Sequence, residues 1–117
     1  YEGEFNPSLI LTHWKDDAHQ DHRLISQLTF NTFRDHLILE YEIPKYDNDT
    51  GSPSFFVPLT RSQMNRKTEI ILHSFASQRS RTWFTEETFM AIARLRGVGC
   101  NAREGLAEGF YARKIVF

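Results

Sequence analysis

An α/β fold with helices packed on a mostly parallel sheet follows from three features of this 117-residue sequence. Strand-like and helix-like segments alternate along it. The runs SLILT, LILEYEI and FYARKIVF are apolar and rich in strand formers. The intervening stretches carry helix-start signals.

Taken in order, residues 8–12 (SLILT) follow Pro7 and are unbroken in hydrophobicity, which suits a central parallel strand covered on both faces. Over residues 19–33 the apolar positions Leu24, Ile25, Leu28, Thr32 and Phe33 recur near helical spacing, with Asp16 or Asp17 in place to cap the start. Residues 37–43 form a second strand that stops at Pro44, and KYDNDTGSPS has the composition of a surface loop. After FFVPL, Thr60 with Gln63 makes a capping-box pattern, and Met64, Ile70, Ile71 and Leu72 extend a helix to about Phe75. A further helix starts at Thr85, with Glu86 and Glu87 near its positive end, and runs to about Arg96 before Gly97. Residues 110–117 read as the last strand. The sequence has no internal repeats, and only residues 45–54 are compositionally biased.

At 40% hydrophobic and 25% charged residues, the chain suits one compact core, so a single domain over residues 1–117 is expected. Fourteen Lys and Arg against fifteen Asp and Glu leave a net charge of -1, which gives no global electrostatic case for nucleic acid or an anionic membrane. The lone Cys100 fits a reducing compartment, and no CxxC zinc pattern occurs. No apolar run approaches the roughly 20 residues that span a bilayer, and YEGEFNPS lacks the marks of a signal peptide, so a cytoplasmic location is the simplest expectation. The absent initiator Met and the immediate strand suggest an excerpt of a longer chain.

The chemistry concentrates in THWKDDAHQDHR, residues 12–23, which gathers His13, His19, His22, Asp16, Asp17 and Asp21 between a strand and a helix. Ligands bind at the carboxyl ends of strands in open α/β sheets, and this stretch lies at that end of SLILT. On a first helical turn, His19 and His22 turn their rings toward one small volume. Both then serve one metal, or one binds metal while the other stands beside the reacting group. Asp21 is placed to accept an imidazole N–H. Two histidines are too few for a catalytic zinc, which takes three protein ligands, and spacing alone reads His13, His36 and His73 as partly buried or surface groups. A polar helix start with solvated charges accounts for HQDH equally well on spacing.

DDAHQDHR resembles H-P-D-H, the second motif of the PIG-L or LmbE-like zinc-dependent N-deacetylases, with Gln20 where the motif has Pro. The similarity extends through NPSLILTHWKDDAHQDHR, KTEIILHSFASQ and RLRG…AEGFYARKIVF. It implies a Rossmann-like three-layer sandwich with a mostly parallel sheet, of which residues 1–117 form the C-terminal part. It also implies a hydrolase that removes an N-acetyl group from an N-acetylglucosamine-type sugar or sugar conjugate. Zinc is the implied cofactor, and Fe2+ or Co2+ accept similar ligands. By the same resemblance His22 is a metal ligand, His19 stabilises the oxyanion or protonates the amine, and Asp21 orients His19. The other ligands and the general base belong to an H-P-D-D motif that these residues lack. The chain alone is therefore expected to be inactive.

On the substrate side, Asp17, with Asp16, lines the mouth of the site or caps the helix, capping being the stronger reading. Trp14 stacks on a sugar ring or packs beside the strand end. Arg79, with Arg81, meets an anionic group or stays solvated. Glu42, Lys45 and Tyr46 leave the second strand where substrate loops belong, solvated loop chemistry being the stronger reading; Ser77 and Gln78 match a family feature, and Glu108 is a further acidic candidate near the site. The expected partner is an N-acetylated sugar, with no nucleic acid and no membrane, and the oligomeric state is open. The alternative function is a non-catalytic carbohydrate- or protein-binding module with an incomplete metal site. An upstream H-P-D-D motif would separate the two.

Overall fold

The computed structural model describes residues 5–45 and 49–117. Its elements are β1 (Ile10–His13), α1 (Gln20–Thr32), β2 (Ile38–Tyr41), β3 (Phe55–Leu59), α2 (Arg61–Ser74), a short 3-10 turn (Ala76–Gln78), α3 (Glu86–Gly99) and β4 (Leu106–Lys114). The α/β class is as the sequence predicts. The chain groups into two compact units, Tyr1–Ile43 with Phe110–Phe117, and Pro44–Gly109, and β4 runs through both. Hydrogen-bonded strand order is β1-β2-β4-β3.

In the first unit β1 and β2 pair in parallel, Ile10 opposite Ile38 through His13 opposite Tyr41, and α1 is the crossover such a pair requires. β2 and β4 pair antiparallel, with Glu40 opposite Tyr111 and Tyr41 opposite Phe110. The sheet is therefore mixed, which corrects the expectation of a mostly parallel one. Alternation of strands and helices fixes what connects the strands but not the direction in which each one enters the sheet.

Among the described strands β1 is not central: it lies first in the order, and its Leu11, with Leu9 just before it, is exposed. The strand buried along its length is β2, whose Ile38, Leu39 and Glu40 are at most 4% exposed. An unbroken apolar run does not by itself distinguish a covered strand from an apolar edge.

The helix starts are local and follow their signals. Thr60 and Gln63 form the reciprocal capping box that opens α2, Gln63 N–H donating to Thr60 Oγ1 at 3.1 Å and Thr60 N–H to Gln63 Oε1 at 2.9 Å. Thr85 caps α3, accepting from Thr88 N–H. Helix α1 is capped by His19 and not by either aspartate: His19 Nδ1 accepts the Asp21 N–H at 3.1 Å, while Asp17 Oδ1 accepts the His19 N–H at 2.8 Å. Asp17 thus shapes the turn that leads into the cap.

Helix α3 passes through Gly97 and ends at Gly99, beyond the expected stop. A Cβ on Gly97 would lie 2.1 Å from the Gly105 carbonyl, so the glycine is there to let the Gly105 and Leu106 backbone approach the helix. Gly105 itself has φ of 71°, which favours glycine. Around this contact Met64, Phe84, Phe89, Ala93 and Leu106 form the buried core of the second unit.

Candidate functional site

His22 stands on the first turn of α1, directly after the segment that leaves β1, as the sequence predicts. Its ring lies between two others. His13, the last residue of β1, stacks on one side with centroids 3.9 Å apart and planes 4° from parallel, and His19 stacks on the other at 4.5 Å and 21°. Tyr41, opposite His13 in the parallel register, meets the His13 ring edge-on at 5.0 Å. Desolvation by burial raises the Tyr41 phenol above its ordinary pKa.

Asp17 completes the group. Its side chain is buried, and Oδ1 comes 3.1 Å from His22 Nδ1, close in distance but not aligned as a hydrogen bond. The loop that presents it is tied down by Arg23, whose Nη1 donates to the carbonyls of Asp17 and Ala18 at 2.8 Å each. Ligand atoms of His13, Asp17 and His22 all lie within 4.8 Å of one another. Two imidazole nitrogens and one buried carboxylate oxygen make a donor set that suits zinc and also Fe2+ or Co2+. No other such group of three occurs among the described residues.

The sequence pointed to His22 but set His13 apart and read Asp17 mainly as a cap. The structure brings both to His22. Their approach depends on the turn over residues 14–19 and on the His13–Tyr41 register, and the only local trace is the placement of His13 and Asp17 on either side of that turn. His19 is adjacent to the group through its stack on His22. Because its Nδ1 accepts a backbone N–H, the neutral ring carries its proton on Nε2. Asp21 meets His19 through its backbone N–H, and no bond from the Asp21 carboxylate to the His19 ring is seen.

Trp14 stacks on Tyr111 of β4, centroids 4.6 Å apart and planes 7° from parallel. Arg79 donates to the Leu72 and His73 carbonyls at the end of α2, where it caps that helix. Glu108 pairs with Lys67, and Lys45 with Asp49 at 2.9 Å. Asp16 is an exposed partner of Lys15. Ser77 and Gln78 form the 3-10 turn, where Gln78 Nε2 approaches Ser77 Oγ at 3.4 Å. Tyr46 lies outside the described residues. No helix among the described residues is long and apolar enough to cross a membrane.

Neither protein-family models nor curated proteins match the chain.

Proposed function

We propose that the chain carries the metal-binding part of a zinc-dependent N-deacetylase acting on an N-acetylglucosamine-type sugar or sugar conjugate, within a Rossmann-like sandwich of the PIG-L or LmbE-like kind. The observation that carries this reading is the convergence of His13, Asp17 and His22 at the strand-to-helix turn where the H-x-D-H sequence lies. In this reading His22 holds the ion as the resemblance implies, and His13 and Asp17 stand in for the two ligands that the resemblance assigns to an H-P-D-D motif.

A divalent cation there supplies Lewis acidity toward an amide carbonyl and a nucleophilic water near neutral pH. His19 has the complementary role. Its Nε2–H is the donor available for the oxyanion that develops on the carbonyl, or for the departing amine. The backbone bond at Nδ1 fixes that tautomer. Trp14, held flat against Tyr111, offers an aromatic face beside the end of β1, suited to the apolar face of a sugar ring. The carboxylate that would remove a proton from water is not among these residues by the resemblance; it belongs to an H-P-D-D motif.

The test separates binding from chemistry in a protein that includes an H-P-D-D motif. His22→Ala should lose metal and activity together. His19→Ala should keep most of its metal while kcat falls by about 10² to 10³, the scale for losing one oxyanion donor. Metal analysis beside kinetics on an N-acetylglucosamine conjugate reads both. Metal binding without deacetylation would favour the non-catalytic module instead.

A further inference from the structure

We propose that Glu40 is a positioning residue: through its hydrogen bond with Ser26 it seats α1 on the strands so that His22 lies against His13. The inference rests on the metal reading only for its functional consequence.

Glu40 lies on β2 and is 1% exposed, as is Ser26 on α1. A carboxylate at that depth costs several kcal/mol unless it is partnered, so its bonds are strongly directional constraints and not optional decoration. Ser26 Oγ donates to Glu40 Oε2 at 2.8 Å, and Arg113 Nε lies 3.8 Å from the same oxygen. The Arg113 guanidinium in turn covers the Phe30 ring at 4.2 Å. Glu40 is therefore tied to α1 twice, directly at Ser26 and through Arg113 at Phe30, one turn further along.

Ser26, Thr12 and Glu40 each adjoin a member of the site. Ser26 is one turn after His22 and on the same helix face. Thr12 precedes His13, is buried, and meets Thr29 at 3.0 Å between hydroxyl oxygens. Glu40 precedes Tyr41, whose ring edge meets His13. Thr12 and Glu40 are partners in the parallel register, as are His13 and Tyr41. Apolar packing adds little to this, because Leu24, Ile25 and Leu28 of α1 are all exposed and Phe30 is half-buried beneath Arg113. What fixes the rotation of α1, and with it the direction of His22, is the polar seam.

The experiment uses the full chain. In metal-free protein, nuclear Overhauser effects between the His13 and His22 ring protons report the stack, and cobalt titration reports affinity. Ser26→Ala and Glu40→Ala should lose the ring contacts and bind cobalt about 10 to 100-fold more weakly, the range seen when groups that orient metal ligands are removed. Glu40→Gln keeps an acceptor oxygen for Ser26 and should retain both. Met64→Ala, which opens the core of the second unit, should lower the melting temperature and leave both readouts unchanged. If Glu40→Ala fails to fold, Ser26→Ala, which removes a single oxygen, carries the test. Intact ring contacts and unchanged affinity in the Ser26→Ala protein would overturn the proposal. Ring contacts that respond as expected in a chain that binds no cobalt would overturn the metal reading and uphold the positioning of His22.

Discussion

The two units bury different chemistry. The unit Pro44–Gly109 closes on Met64, Phe84, Phe89, Ala93 and Leu106, with Phe84 and Phe89 edge to face at 5.5 Å. The other buries Thr12, Asp17, Ser26 and Glu40 beside Ile38, Leu39 and Phe110. An apolar core is set by volume and tolerates small rotations of its elements. A polar core is set by direction, since each donor must meet its acceptor or be left unsatisfied. The unit that bears His13, His19 and His22 is the one held by direction, which is what a ligand group needs from its support.

That contrast is broken most forcefully from the apolar side. Phe89→Ala should cost about 3 to 5 kcal/mol of stability, as large-to-small changes in cores do, read as a fall in the denaturation midpoint. Metal affinity should persist wherever the chain is still folded. Gly97→Ala should cost about 1 to 3 kcal/mol, because the new methyl meets the Gly105 carbonyl and the helix or the β4 entry must shift. It too should spare the metal. From the polar side, Trp14→Leu should cost about 1 kcal/mol through the lost stack on Tyr111, with metal affinity unchanged. A fall in sugar binding in that variant, measured by ligand-detected NMR, would sharpen the assignment of Trp14 as a substrate platform; unchanged sugar binding would make it a packing residue only.

What was legible in the sequence was local. The capping box at Thr60 and Gln63 and the start at Thr85 need only neighbours within one turn, and both stand as read. His22 on a first helical turn was legible for the same reason. The remainder depends on partners distant along the chain. Gly97 looked like a helix stop because the backbone that requires a glycine there comes from residues 105 and 106. The edge position of β1 and the antiparallel entry of β4 are properties of pairing, not of either strand alone. Nothing in LILEYEI alone marks Glu40 as buried. Its burial appears only once Ser26 and Arg113 are brought to it. His13 and Asp17 join His22 through a turn whose shape is set by the backbone bond from Asp17 N–H to the Trp14 carbonyl and by the side-chain bond from His19 N–H to Asp17 Oδ1.

The central claim is that His13, Asp17 and His22 together hold one divalent ion. Calorimetric titration of the chain with zinc at neutral pH tests it directly, run beside His13→Ala, Asp17→Asn and His22→Ala. One ion per chain is expected, and each variant should bind at least about 10-fold more weakly, because each removes one donor from a set of three. No binding by the unaltered chain, or variants that bind zinc as tightly as it does, would contradict it.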